Sequence, residues 1–360
     1  MQLWIKSTFH YFYFMEYFLC IFEIFFKRVG IFQNTYQIGK DDHMKKITKF
    51  KVAVVQAGAE IMDKEKGVAK TVRLIQEAAR QQANIIVFPE AFIPAYPRGM
   101  SFGAVVGSRD WEGRKDFREY WDHSITAPGP ETQAIGKAAR QTGAYVVIGV
   151  IEKDSNGSQG TLYCTVLFFG PDGELLGKHR KLKPTGSERL IWGQGDGSTL
   201  PVFETPYGRL GALICWENYM PLARAAMYDK GIQIYVMPTA DGRDTWTSTV
   251  RHVAAEGRCF VLSCNQYSTK SMYPEAISSR AEFQELPEEM SRGGSCIAGP
   301  LGELIVEPVY GEETILYAEL DLDQIAESQF DFDVSGHYAR PDVFQLSVNE
   351  KAQKNVVWNN

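Results

Sequence analysis

Short apolar runs alternate with segments of helical periodicity along most of this chain, and this alternation strongly limits the possible folds. The runs at 51–56 and 85–88 have the length of buried strands, and apolar residues recur at helical spacing between them, over 68–79. A second helix is expected over 131–142, followed by a strand over 145–150. The pattern predicts an α/β fold.

Hairpin patterns are mixed with these strand–helix units. Turn sequences at 171–173, 206–208 and 300–302 each separate two apolar runs. Helices are expected again over 222–229 and 246–256, each leading into a strand. The mixture predicts mixed sheets whose outer faces are covered by helices. Because no linker, low-complexity stretch or short-period repeat interrupts the pattern, we expect one large domain rather than two.

The net charge and the cysteine pattern exclude several classes of protein. The 360 residues are 44% hydrophobic and 23% charged, with a net charge of −6. This mild acidity argues against a nucleic-acid partner, which would require a basic face or tail. The cysteines form no Cys-X-X-Cys pair and have no close histidine partners, which argues against zinc ribbons, iron–sulfur clusters and a secreted disulfide framework. We therefore predict a cytoplasmic protein. The six cysteines are Cys20, Cys164, Cys215, Cys259, Cys264 and Cys296.

The N-terminal residues 1–43 do not share the pattern of the rest. They contain a dense aromatic run that includes two carboxylates, Glu16 and Glu23. A charge near the middle of a bilayer costs about 2.5–3.5 kcal/mol, so we do not expect a membrane span. No secretory signal is recognisable either. We expect an extension outside the fold or an upstream start, with a genuine anchor or interaction arm as the alternative.

The expected domain boundaries follow from where the pattern starts and stops. Met44 is followed by two lysines and then by the first strand pattern, so we expect the domain to begin there. The last forty residues are polar and aperiodic, and we interpret them as a tail. The predicted domain is 44–334 and the predicted tail is 335–360.

An apolar strand runs directly into Cys215 in the segment GALICWEN, and a helix is expected after Pro221. A cysteine at such a corner faces free backbone N–H groups, which stabilise a thiolate or a developing anion. With an ordinary pKa of about 8.5, the thiol needs a base or a cationic neighbour to act as a nucleophile. The alternative is that Cys215 is a small buried hydrophobic residue, as cysteine usually is.

Two further corners carry charged side chains. Glu90 ends a buried strand in IIVFPEAF, and burial there would raise its pKa and suit it to general-base catalysis. The basic run 178–181 follows a hairpin strand and precedes a loop punctuated by proline and glycine. The alternatives are a solvated loop glutamate and a solvated charged face.

These corners resemble the nitrilase family, the carbon–nitrogen hydrolases, whose catalytic triad is Glu, Lys, Cys in that order. FPEAF surrounds Glu90, HRKLKPT surrounds Lys181 and CWEN begins at Cys215. Three further segments resemble the nitrilase branch itself: SERLIWGQGDGS, PTADGRDTW and GHYARPDVF. The resemblance covers about residues 50–344. It implies a four-layer α-β-β-α sandwich, in which two mixed sheets pack together and are flanked by helices.

The resemblance implies a thiol hydrolase that converts organic nitriles to a carboxylic acid and ammonia. Cys215 would attack the nitrile carbon, and the intermediates would be a thioimidate and then a thioester. Lys181 would stabilise the charge on nitrogen, and Glu90 would transfer protons. Glu188 would support Lys181 and the substrate. His179 and His252 are then expected to be structural.

The resemblance also implies the surroundings and partners of the site. Tyr96, Trp192 and Trp216 would form a pocket wall suited to an aromatic or arylaliphatic group. The partners would be a small nitrile, water and further copies of the chain, in dimers that assemble further, including into spirals. The resemblance implies no cofactor and no metal, and no nucleic acid and no membrane are expected. The tail over 335–360 is expected to contribute to contacts between copies.

Other function classes use some of the same residues. A papain-like protease needs a histidine downstream of its cysteine, and neither His252 nor His337 has a protease-like context. An amidase or a cyanide-hydrolysing relative would use the same three residues on another nitrogen compound and is the main alternative. A binding module on this fold would be expected to lack one member of the triad.

A chain that begins at Met44 is expected to fold and to retain full activity, because residues 1–43 contribute nothing to the strand and helix pattern. Soluble yield, circular dichroism and nitrile turnover of the shortened and full-length chains would be compared. Loss of soluble protein on shortening would show that the N-terminal segment is part of the fold.

Overall fold

Two mixed β-sheets lie face to face at the centre of the structure. The computed structural model describes residues 47–154, 160–354 and 356–357, so the predicted extension over 1–43 lies outside the described residues. In chain order, the strands are β1 (Lys49–Gln56), β2 (Ile85–Val87), β3 (Ala104–Val105), β4 (Ser108–Arg109), β5 (Tyr145–Lys153), β6 (Leu162–Phe169), β7 (Leu175–Arg180), β8 (Val202–Thr205), β9 (Gly208–Ala212), β10 (Ile234–Thr239), β11 (Phe260–Asn265), β12 (Tyr267–Thr269), β13 (Glu289–Ala298), β14 (Leu304–Tyr310) and β15 (Thr314–Asp321).

Parallel strands form the centre of each sheet and antiparallel strands form its edges. The spatial order of the first sheet is β15-β1-β2-β5-β6-β7, with β1, β2 and β5 parallel. The order of the second is β12-β13-β11-β10-β9-β8, with β9, β10 and β11 parallel and β14 beside β13. The central strands are almost wholly buried, as their continuous apolar runs predict.

The two sheets share one core. Side chains from β1, β2 and β5 of the first sheet and from β10 and β11 of the second belong to the same buried cluster. Contacts also cross directly between the sheets: the Cys264 thiol of β11 lies 3.2 Å from the carbonyl oxygen of Val55 in β1. Sheet packs on sheet with no helix between them.

Helices cover the outer faces of both sheets. In chain order, they are α1 (Lys64–Arg80), α2 (Trp111–His123), α3 (Pro130–Thr142), α4 (Pro221–Asp229), α5 (Asp244–Gly257), α6 (Glu275–Ser278), α7 (Ala281–Gln284) and α8 (Asp323–Ser328). Buried residues of α1 and α3 pack against the first sheet, and those of α4 and α5 pack against the second. The predicted four-layer α-β-β-α sandwich is confirmed. Within the described residues, no helix has the length and apolar character needed to cross a membrane.

Local sequence explains where the long helices begin and end. Asp63 precedes α1, and its side chain accepts a hydrogen bond from the Lys66 backbone N–H. Pro130 occupies the first turn of α3, and Gly143 ends this helix with a φ of 68°. The helices expected over 68–79 and 131–142 are therefore confirmed.

The predicted hairpins are also confirmed, because β6–β7, β8–β9 and β13–β14 are antiparallel pairs. Each of their turns contains a glycine in the left-handed region. The φ values are 86° at Gly173, 101° at Gly208 and 82° at Gly302. Residues with a Cβ rarely adopt this conformation, which is why these turns depend on glycine.

Two parts of the chain differ from the sequence-based expectations. Helix α2 was not predicted, because only Gly113, Asp116 and Tyr120 of this polar helix are buried and they form no apolar stripe. The last forty residues include α8, whose Ile325 is buried, so the interpretation of that whole stretch as a tail is wrong. The described residues after 335 form no helix or strand.

Candidate active site

Three residues singled out in the sequence lie at one edge of the paired sheets. Glu90 follows β2, Lys181 directly follows β7, and Cys215 follows β9. The Lys181 Nζ lies 2.6 Å from Glu90 Oε1 and 2.7 Å from Glu188 Oε2. The structure therefore brings Glu90, Lys181 and Glu188 into one cluster, and Cys215 lies close enough to affect the pKa values of Glu90 and Lys181.

Lys181 is fully buried, yet its surroundings keep it cationic. Burial by itself lowers the pKa of a lysine. The negative charges of Glu90 and Glu188 outweigh that effect and hold the pKa of Lys181 well above its usual range. The ammonium group is therefore a permanent positive charge at the site.

Glu90 is a buried carboxylate with one occupied and one available oxygen. Its Oε1 accepts from Lys181 Nζ and lies 3.5 Å from the Cys164 thiol, whereas its buried Oε2 accepts no hydrogen bond from the described residues. Burial raises the pKa of Glu90, Lys181 opposes this rise, and Glu188 adds to it. A carboxylate with a raised pKa and an available oxygen is suited to accept and return a proton.

Cys215 lies at a strained corner between β9 and α4. Its φ of 71° is in the left-handed region, where a residue with a side chain is held at a cost of about 1–3 kcal/mol. The Asn218 side chain holds this corner by donating to the carbonyls of Leu213 and Cys215, at 3.0 and 2.9 Å. Burial, followed by the charge of Glu90, raises the pKa of Cys215 to about 12, so its resting form is the thiol.

Glu188 joins the lysine to the wall of a cavity. Its Oε2 accepts from Lys181 and from the Thr185 backbone N–H, at 2.7 and 2.6 Å. Its Oε1 accepts from the Tyr96 hydroxyl at 2.8 Å. Every oxygen of this carboxylate is thus engaged, which fixes Glu188 in place and distinguishes it from Glu90.

A cavity of about 500 Å³ opens onto Cys215 and Glu188. Tyr96 and Trp216 are among the residues that line it. Trp192 is not among the lining residues: only 3% of its surface is exposed, and its ring packs edge-on against Tyr96 at 5.7 Å. The structure therefore places Trp192 behind the pocket wall rather than in it, because the ring of Tyr96 stands in front.

The cavity wall also contains charged residues that sequence reasoning missed. Arg98 and Arg292 line the cavity, and so does the ion pair of Arg243 with Asp241. The Arg243 guanidinium also lies over the Trp216 ring, 4.8 Å from its centroid. The segment PTADGRDTW contains two of these residues and follows a buried strand, which was the signal that could have located them.

The remaining described cysteines do not line this cavity, although the Cys164 thiol contacts Glu90 behind it. Cys164, Cys259, Cys264 and Cys296 are at most 1% exposed, and burial raises the pKa of each. Their expected role in core packing agrees with this burial. Over the described ranges, no group of three or more His, Cys, Asp or Glu side chains is arranged to hold a metal ion.

Residues 51–330 match the sequence model of the carbon–nitrogen hydrolases. This chain belongs to the carbon–nitrogen hydrolase family. It is 55% identical over 311 residues to an aliphatic nitrilase of Sinorhizobium fredii, covering 86% of this chain and 99% of that one. It is 50% identical over 304 residues to a bifunctional nitrilase/nitrile hydratase of Lupinus angustifolius, covering 83% and 86%. The resemblance to the nitrilases seen in the sequence motifs is confirmed.

Solved structures of the superfamily share the fold of this carbon–nitrogen hydrolase. Nit3 of Saccharomyces cerevisiae, a member of branch 10 of the nitrilase superfamily, matches with a TM-score of 0.64 at 23% identity, covering 81% of this chain and 97% of that chain. A carbon–nitrogen hydrolase of Helicobacter pylori matches with a TM-score of 0.65 at 21% identity, covering 84% and 98%. These matches agree with the four-layer sandwich.

Iodoacetamide is expected to alkylate Cys215 before the other described cysteines, because Cys215 alone among them lines the cavity. The rates would be measured by peptide mass spectrometry in a Cys20→Ser background, since Cys20 lies outside the described residues. Cys259 is the matched buried control. Equal labelling of Cys215 and Cys259 would contradict a reactive site thiol.

Proposed function

We propose that this protein hydrolyses organic nitriles to the carboxylic acid and ammonia, with Cys215 as the nucleophile. The observation that carries the proposal is the buried Lys181 between two carboxylates, beside a cavity-lining cysteine. The high identity to a relative named as an aliphatic nitrilase supports the choice of a nitrile over other nitrogen compounds.

Glu90 is proposed as the general base for the first step. The raised pKa of Cys215 means that the thiol must lose its proton as sulfur attacks, and the available Oε2 of Glu90 is suited to take it. The new C–S bond forms while one π bond of the nitrile breaks. The nitrogen then takes up the proton, which leaves a thioimidate on Cys215.

Lys181 is proposed to stabilise the negative charge that develops on nitrogen during the attack. A fixed cation in a site from which water is largely excluded is worth more than the same charge in water. Its two carboxylate partners hold the ammonium group in place before the substrate arrives, so little reorganisation is needed during the reaction. Glu188 supports Lys181 in this position.

Water completes the reaction in two additions. The first water adds to the thioimidate carbon and gives a tetrahedral intermediate, from which nitrogen leaves as ammonia and a thioester remains. The second water hydrolyses the thioester, releases the carboxylic acid and regenerates the Cys215 thiol. We propose that Glu90 accepts the proton of each attacking water and returns it to the leaving group.

The negative charge of Glu90 and Glu188 favours the acid over the amide. Nitrogen leaves readily from the tetrahedral intermediate when it is protonated, and carboxylates stabilise the resulting ammonium. If nitrogen remained neutral, sulfur would leave instead and the amide would be released. Amide release is the second outcome to test, because one relative is named as a bifunctional nitrilase/nitrile hydratase.

We also propose that the protein works in the cytoplasm as a homo-oligomer. The five described cysteines are all free thiols, which supports a reducing compartment. Tyr219, Met220 and Leu222 expose apolar surface together at the start of α4, with 67% of Leu222 accessible. An exposed apolar group of this kind supports a contact between copies.

Replacement of Cys215 by alanine is expected to abolish nitrile turnover, because no other group can form the covalent intermediate. Glu90→Gln should lower kcat by at least about 10²–10³-fold, the usual cost of losing a general base or charge stabiliser. Turnover would be measured as ammonia release. Cys259→Ala is the control and should retain near-normal activity; a comparable loss there would show that the wrong thiol is assigned.

The main product of a preferred nitrile is expected to be the carboxylic acid. One aromatic and one aliphatic nitrile would be incubated with the enzyme, with the matching amides in parallel, and the products separated by chromatography. The amides should be hydrolysed much more slowly than the nitriles. Amide as the main product from both nitriles, or faster hydrolysis of the amides, would favour the alternative activities and contradict the proposal.

A further inference from the structure

A buried ion pair lies behind the candidate site. The His179 Nε2 is 2.9 Å from Glu217 Oε2, and neither side chain is exposed. The other ring nitrogen, Nδ1, is hydrogen-bonded to the Thr199 carbonyl oxygen. A carbonyl and an ionised carboxylate can only accept hydrogen bonds, so both ring nitrogens must carry a hydrogen. His179 is therefore an imidazolium paired with a carboxylate.

The direction of the His179 pKa agrees with this assignment. Burial by itself lowers the pKa of His179, because a buried charge is costly. The Glu217 carboxylate and the Thr199 carbonyl both raise the pKa of His179. Together they outweigh the effect of burial, so this pKa lies above its usual value. The proton assignment itself depends on the two hydrogen-bond partners.

Glu217 also binds the backbone beside two residues of the site. Its Oε1 accepts from the Leu182 N–H at 2.6 Å, and its Oε2 accepts from the Ile214 N–H at 2.6 Å. Leu182 follows Lys181, and Ile214 precedes Cys215. One carboxylate thus connects the backbone next to the lysine with the backbone next to the cysteine.

These two backbone segments belong to different sheets. Lys181 continues from β7 in the first sheet, whereas Cys215 follows β9 in the second. A small slide of one sheet over the other would change the distance between the ammonium group and the sulfur. A contact that crosses between the sheets at this point opposes such a slide.

We propose that Glu217, held by His179, is a positioning residue that sets the distance between Lys181 and Cys215. The inference rests on the proposed function, in which these two residues act on the same nitrile. A displacement of about 1 Å can lower the rate about 10²-fold, so a contact that fixes this distance matters for turnover. Glu217 does not line the cavity and therefore acts through its neighbours.

The chemistry of the contact requires a carboxylate rather than an amide. Each oxygen of Glu217 accepts one backbone N–H, and both lie near the protonated ring of His179. In Glu217→Gln, one of these oxygens becomes an NH₂ donor. That donor would face a backbone N–H, so one of the two backbone contacts would be lost.

The test compares Glu217→Gln with Asp116→Asn. Asp116 is also a buried carboxylate in an ion pair, with Arg280, but it lies on α2 and does not line the cavity. Steady-state kinetics, thermal unfolding and the rate of Cys215 alkylation by iodoacetamide would be measured for both variants.

Glu217→Gln should lower kcat by at least about tenfold and leave KM within about threefold. Its Cys215 should also be alkylated more slowly, because Lys181 no longer stabilises the thiolate.

The control separates positioning from general destabilisation. Asp116→Asn should lose thermal stability but keep its kcat within about twofold, since it disturbs no contact beside Lys181 or Cys215. An unchanged kcat and alkylation rate in Glu217→Gln would overturn the proposal. Equal losses of kcat in both variants would also overturn it, because the effect would then follow stability alone.

A second variant covers the case in which Glu217→Gln does not fold. His179→Gln keeps a neutral donor towards Glu217 and both backbone contacts, so it should lower kcat to a smaller extent with KM unchanged. A kcat equal to that of the parent would count against the proposal. If the parent itself showed no nitrile turnover, the proposed function would fail, and the alkylation rates would still decide the positioning role.

Discussion

The site depends on one interaction, the contact of the buried Lys181 ammonium group with the carboxylates of Glu90 and Glu188. A buried charge without a partner costs several kcal/mol, so the lysine can remain charged in the interior only while these partners stay in place. Glu90 is 91 residues from Lys181 in the chain and Glu188 is 7 residues from it, and their carboxylate oxygens lie 2.6 and 2.7 Å from the lysine nitrogen. The fold must therefore hold the first sheet and the loop after it in a single arrangement.

Close backbone packing makes that arrangement possible around Glu90. A Cβ at Gly149 of β5 would lie 2.3 Å from the Pro89 carbonyl oxygen and 2.7 Å from the Glu90 Cα, so only glycine allows this approach. The Gln266 side chain, which follows β11 in the second sheet, donates to the Glu90 carbonyl at 2.8 Å. Both sheets thus contribute to the position of a single carboxylate.

The second sheet supplies the nucleophile through a different kind of constraint. Cys215 is held with a positive φ by the side chain of Asn218 and by the buried carboxylate of Glu217. Such strain persists only where surrounding contacts determine it, and it is common at functional sites. The same carboxylate contacts the backbone beside Lys181, so the two halves of the site are connected through the interface between the sheets.

The sequence by itself determined the element types, the hairpins and the polar corners, because hydrophobic period and turn chemistry are local properties. It did not predict α2, whose buried residues form no apolar stripe. The family motifs led to Glu90, Lys181, Glu188 and Cys215. They did not show that Trp192 is buried behind Tyr96, and they did not identify the arginines of the cavity wall. Those features, and the contacts of Glu217 with the backbone beside Lys181 and Cys215, were decided only by the tertiary structure. Their cause is the packing of two sheets, which brings together residues that are far apart in the chain.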